Sequence, residues 1–194
     1  MTSATIPQKL MTTEELLALP DDGKERWLLN GVLWERDMTK RNRFHSRFHS
    51  RTMAVIAFLL EQWSRTQPEP RGEVLCGKAG FRLRRNPDTS VGIDVAYASS
   101  ELRLIQTDQT TLYEGPPLLA VEILSPSNPH GDIAAKVKDY MAHGVKLAWV
   151  VDTEFRLVSV HRPGVPAEAL DSSDMLTGDP ELPGFSCPVA DLFR

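Results

Sequence analysis

Two acids stand inside apolar, strand-like runs: Asp94 in "VGIDVAY" and Glu122 in "LLAVEILSPS". An ionised carboxylate in such a run costs several kcal/mol, to order of magnitude, unless something pairs with it. One acid of this kind is usually ion-paired with Arg or Lys. Two, on neighbouring strands, can also converge and repel, and a divalent cation relieves that repulsion while keeping positions open for water and phosphate. Structural ion pairing and a shared metal both fit the pattern. The segment after Glu122 adds Asp132, Lys136 and Tyr140 at i, i+4 and i+8, one face of a helix. Lys136 and Lys138 flank the apolar residues Ile133, Val137 and Met141 on opposite sides. A lysine so placed is most often a surface residue with a buried stem. Beside two carboxylates it also suits phosphodiester hydrolysis, where an ammonium orients water or offsets charge developing on the phosphate.

These side chains need elements to hold them. Thr12 and Glu15 have capping-box spacing at the start of the short helix "MTTEELLAL", which Pro20 ends. Asn30-Gly31 between apolar runs in "RWLLNGVLWE" predicts a hairpin. "SRTMAVIAFLLEQW" reads as a helix with a wide apolar face. "GFRLRR" and the Asp94 run are strands around the turn "NPDTS", and residues 99–117 read as helix or loop. The Glu122 strand is followed by the helix "IAAKVKDYMAH", capped by Asp132 and ended by Gly144. "VKLAWVV", with Trp149 as a core residue, and "FRLVSVHR" are strands joined by "DTE"; a last apolar turn, "VADLF", closes the chain. Strands alternating with helices predict an α/β fold, with helices around a central mixed sheet and one domain over 1–194, residues 1–11 being a flexible tail.

The 194 residues suffice for a sizeable core, and 41% hydrophobic with 25% charged residues places the chain among globular proteins. No apolar run approaches the ~20 residues of a membrane span, and the first residues lack the pattern of an export signal. Cys76 and Cys187 form neither a CxxC pair nor a disulfide framework, so a cytoplasmic location is expected. The net charge of −4 argues against nucleic acid, but the charge is uneven. Residues 36–51 hold Arg36, Lys40, Arg41, Arg43, Arg47 and Arg51 against the single acid Asp37, whereas residues 167–181 hold five acids and no Lys or Arg. Local field steers a polyanion, so the basic stretch is either a nucleic-acid-facing segment or a solvated loop.

Other patterns carry less. His45 and His49 are spaced for zinc on a helix, but the HExxH glutamate is absent and no third ligand stands out, so phosphate contact or a helix-leading turn is the preferred reading. Phe44 and Phe48 could stack on bases, with pinning of the turn to the core preferred. Ser125 and Ser127 lack the G-x-S-x-G context, and no Walker A or G-x-G-x-x-G string supports a nucleotide cofactor.

Taken together, "VGIDVAY", "LLAVEILSPS" and "DIAAKVKDYMAHGVKLAWVVD" resemble the Uma-type family of endonucleases, a branch of the PD-(D/E)XK restriction-endonuclease-like superfamily. The likeness runs from about Thr12 to the closing "LPGFSCPVADLF". It implies a restriction-endonuclease-like core and metal-dependent hydrolysis of DNA, with Asp94 and Glu122 binding Mg²⁺ or Mn²⁺ and the Ile123 carbonyl as a further ligand. The superfamily's lysine, two residues after the second acid, is Leu124 here, and Lys136 on the next helix takes its place. Asp132 and Tyr140 would support that lysine, and Lys40, Arg41, Arg43, Arg47 and Arg51 would meet phosphates. Ile93 replaces the usual proline before the first acid, and Trp27 stands where the family has an acid in its N-terminal hairpin; Glu25 and Glu35 lie nearby. A homodimer is expected by analogy, since cutting two strands needs two sites. Two other readings stay open: a catalytically silent nucleic-acid-binding or regulatory module on this scaffold, and a structural protein with Glu122 ion-paired to Lys136.

Overall fold

The structure, a computed structural model, describes residues 9–37, 46–107, 110–124 and 130–194. The chain opens with helix α1 (Thr13–Leu17), whose capping box is formed: the Thr12 hydroxyl accepts from the Glu15 amide, and the Glu15 side chain accepts from the Thr12 amide. Strands β1 (Lys24–Leu29) and β2 (Val32–Asp37) make the hairpin, with Asn30 and Gly31 at φ 51° and 76°, the left-handed backbone that a tight two-residue turn requires. Helix α2 (Arg47–Ser64) follows, capped by Ser46.

Strands β3 (Glu73–Arg84) and β4 (Thr89–Ala98) form a long antiparallel pair. β3 begins well before "GFRLRR": a register shift between Cys76 and Ala79, with Gly77 and Lys78 at positive φ, breaks the alternation that marks a strand in sequence. Within 99–117 lie helix α3 (Ser100–Leu104) and strand β5 (Tyr113–Glu114). Strand β6 (Leu119–Leu124) carries Glu122, and helix α4 (His130–Ala142) follows. Asp132 is therefore inside the first turn of α4 instead of capping it, and Gly144, at φ 102°, ends the helix as expected. β7 (Leu147–Asp152) and β8 (Leu157–His161) are joined by a turn that takes in Phe155 and Arg156. Short strands β9 (Glu168–Leu170), β10 (Met175–Thr177) and β11 (Ser186–Pro188) and a 3₁₀ turn at Val189–Phe193 complete the chain.

The main sheet runs β2-β1-β4-β6-β7-β8-β9, with β3 and β5 attached through β4. It is mixed: β6 and β7 are parallel, as are β3 and β5, and the other pairs are antiparallel. Alternation along β6 sends Leu119, Val121 and Ile123 to one face, where Ile56 and Leu60 of α2, Trp149 and Phe185 pack. Ala120 and Leu124 go to the other, against Ile133, Val137 and Tyr140 of α4 and Trp27 of β1. Glu122 shares that second face.

Candidate active site

One topological feature creates the site. β3 occupies one whole edge of β4, from Ala98 to Thr89. The other edge is shared: β6 pairs only with Val95, Ala96 and Tyr97, and β1 joins at Ser90. Between these contacts the sheet splits, and Asp94 sits in the split. Its Oδ2 accepts the Ile123 amide at 2.9 Å, a side chain standing in where the β4–β6 ladder stops, and lies 3.2 Å from Nε2 of His49. Burial alone would raise the Asp94 pKa, but the His49 hydrogen bond and charge, the Ile123 amide and Lys136 outweigh it and hold the carboxyl below its ordinary value.

Glu122 lies one residue before Ile123, 5% exposed. The Tyr140 hydroxyl donates to its Oε1, and Nζ of Lys136 lies 3.6 Å from its Oε2. Burial is the strongest influence on Glu122 and raises its pKa; Lys136 opposes this, the negative charge of Asp94 adds to it, the Tyr140 bond opposes it, and Glu25 adds. The Tyr140 hydroxyl is in turn pushed well above its ordinary pKa, by burial first and then by the Glu122 charge. The two acids thus feel one another, and each has donors from a different helix: α2 through His49, α4 through Lys136 and Tyr140.

Lys136 is not a surface lysine. It is 4% exposed, and its ammonium also lies over the Trp27 ring, 5.0 Å from the centroid. Lys138, across the stripe, is exposed. Trp27 therefore places an aromatic wall under the lysine. Glu25, two residues earlier on the same face of β1, supplies acidity nearby: it pairs with Lys78 at 2.9 Å and Arg36 at 3.6 Å. Burial raises its pKa, yet Lys78, Lys136 and Arg36 bring it below the ordinary value. Glu35 pairs instead with Lys24 and Arg26. Leu124, where the superfamily's lysine would stand, faces a cavity lined also by Ile133 and Val137.

Among the flanking residues, His49 was missed as a site residue. It is the third residue of α2, its amide held by Ser46, and is 2% exposed instead of facing a phosphate. A signal existed: the buried stripe Leu60, Ile56, Thr52 continues at helical spacing to His49, so that position points inward. Phe48, adjacent to it, is 56% exposed, which overturns the expectation that it pins the turn to the core. Arg47 and Arg51 are exposed on α2; Lys40, Arg41, Arg43, Phe44, His45, Ser125 and Ser127 and the Asp132 side chain lie outside the described residues. No group of three His, Cys, Asp or Glu gathers for a metal among the described residues, and His45 lies outside them. Two buried carboxylates do suit Mg²⁺ or Mn²⁺, which bind through one or two carboxylates and retain waters.

Residues 13–190 match the family Uma2, described as "Putative restriction endonuclease". The chain belongs to the Uma2 family. Its fold is also similar to that of a solved structure, a "putative nuclease belonging to DUF820" from Anabaena variabilis, which superposes with a TM-score of 0.77 at 17% identity, covering 93% of this chain and 96% of that one. No curated protein matches the chain. The α/β, restriction-endonuclease-like sheet expected from the sequence is thus the fold observed, and no described helix is long and apolar enough to cross a membrane.

Proposed function

We propose that this Uma2 chain is a divalent-metal-dependent endonuclease that hydrolyses phosphodiester bonds in DNA. The observation that carries the reading is a pair of buried carboxylates at the split between β4 and β6, Asp94 bonded to the amide of the residue next to Glu122, with a buried lysine against Glu122. Asp94 and Glu122, with the Ile123 carbonyl, would hold Mg²⁺ or Mn²⁺, which when bound supplies Lewis acidity and charge neutralisation at the phosphate.

The chain's own groups do the rest. Tyr140 fixes one oxygen of Glu122, and His49 with the Ile123 amide fixes one oxygen of Asp94, so both acids are presented in a set orientation. Lys136, steadied between Glu122 and Trp27, orients the attacking water or offsets charge on the phosphate oxygens. Asp132, four residues before Lys136 on α4, supports that face. Lys40, Arg41, Arg43, Arg47 and Arg51 contact the backbone phosphates, giving affinity that falls steeply with salt. A homodimer would bring two such sites to the two strands.

The Lys136–Glu122 ion pair also suits a structural or silent scaffold, and one experiment separates the readings. Plasmid DNA and a labelled single strand are incubated with Mg²⁺ or Mn²⁺ and wild type, Glu122→Ala or Lys136→Ala, each shown to be folded. Metal-dependent cleavage by wild type that both variants lose is expected. No cleavage by wild type, with no metal bound in calorimetry, overturns the nuclease reading.

A further inference from the structure

Beside the split lies a groove of about 440 Å³ whose chemistry differs from that of the acids. One wall is the first turns of α2, with Ser46, Phe48, Arg51 and Thr52; the other is the β7–β8 turn, with Thr153, Glu154 and Arg156, and Phe193 closes it. Phe48 presents more than half its surface to solvent, and the Arg47 guanidinium lies 4.6 Å from its ring centroid. Arg51 is held in place by a hydrogen bond from Nε to the Arg194 carbonyl at 2.9 Å. Phe155, between Glu154 and Arg156 in the turn, is 67% exposed. Arg51 and Arg156 thus share the groove with a single acid, Glu154, and Arg47 stands against Phe48 at its edge, in a chain whose net charge is negative.

Both walls are tied to the acids. Phe48 is followed by His49, the partner of Asp94. The Thr153 hydroxyl donates to the Leu124 carbonyl at 3.4 Å, two residues beyond Glu122. An exposed ring interleaved with arginines, beside a site for phosphate chemistry, is how sequence-tolerant single-strand binding is built: bases stack on the aromatic while cations follow the backbone. Paired bases, stacked inside a duplex, offer no face to Phe48.

We propose that this groove binds single-stranded DNA, with an unpaired base stacked on Phe48 and neighbouring phosphates on Arg47, Arg51 and Arg156, so that the preferred substrate has an unpaired strand at the site; this rests on the nuclease reading above. The volume lies within the range of sites that enclose a molecule of nucleotide size.

The test is fluorescence anisotropy with a labelled 15-nucleotide single strand and the matching duplex, in EDTA so that nothing is cut. Wild type is expected to bind the single strand more tightly than the duplex. Phe48→Ala should weaken single-strand binding by about fivefold to a hundredfold, the range that stacking gives on alanine substitution, leave the duplex unchanged, and be rescued by Phe48→Tyr. Phe48 is exposed, so these variants fold. Equal or tighter duplex binding, or a Phe48→Ala effect within twofold or equal on both strands, overturns the proposal. The two readings fail separately: a binder that is no nuclease keeps the Phe48-dependent strand contrast without cleavage, whereas a nuclease lacking this groove function cuts with no dependence on Phe48.

Discussion

Replacing Lys136 with methionine tests how the buried acid is held. Methionine keeps most of the stem that packs near Trp27 and removes only the charge. Both partners of the pair are almost fully enclosed, with side-chain exposures of 5% and 6%, so solvent does little to screen the loss. Removing one partner of such a pair costs about 3–5 kcal/mol if the other stays ionised. Glu122 has an alternative, because burial and the Asp94 charge already raise its pKa: it takes up a proton. In Lys136→Met the folded pKa of Glu122 rises further above the unfolded 4.5, and the folded state then holds more protons than the unfolded state between those values. Stability is therefore lost as pH rises through that window, by up to about 1.4 kcal/mol per pH unit. At pH 5 the variant should be destabilised by only about 1 kcal/mol, chiefly the lost cation–π contact, and at pH 8 by about 3–5 kcal/mol. Urea denaturation of both proteins at the two pH values measures this. A loss that is the same at pH 5 and pH 8, or none at either, would refute the pairing.

Three further outcomes are expected. Tyr140→Phe removes a buried donor to Glu122 and should cost about 1.5–3 kcal/mol in denaturant unfolding, without changing the fold by circular dichroism. Mn²⁺ affinity should rise with pH above 4.5 as Glu122 gives up the proton that burial helps it keep, while Asp94, held below 3.8, stays ionised throughout; calorimetry at pH 5 to 8 would show a flat profile if this were wrong. Gly31→Ala should lower the melting temperature by roughly 2–8 °C, from about 1–2 kcal/mol of left-handed strain, because Gly31 has φ 76° and an added Cβ would lie 2.9 Å from Cβ of Leu10.

The features that were legible in sequence are those set by local chemistry. The Asn30-Gly31 turn, the Thr12–Glu15 box and the Gly144 terminus each depend on a few neighbouring residues. Asp94 and Glu122 were conspicuous because an acid between apolar strand residues demands a partner. What remained hidden depends on how elements meet. His49 and Asp94 are 45 residues apart, and only the seating of α2 across the sheet joins them. The first half of β3 was concealed by its bulge at Gly77 and Lys78, and β9, β10 and β11 span three residues each, too few for a period to show. Lys136 could not be told from Lys138 by burial until Trp27 was seen beneath its ammonium. Phe48 misled because an aromatic at a helix start usually packs inward, whereas the buried stripe here runs through His49 beside it.

The measurement that bears most directly on the central claim is calorimetric titration of Mn²⁺ into folded wild type and into Glu122→Gln at pH 8. Wild type is expected to bind the ion, and the variant, equal in size but without the charge, to bind it at least tenfold more weakly. Equal binding by the two proteins, or no binding by wild type, would contradict the assignment of Asp94 and Glu122 as a shared metal site.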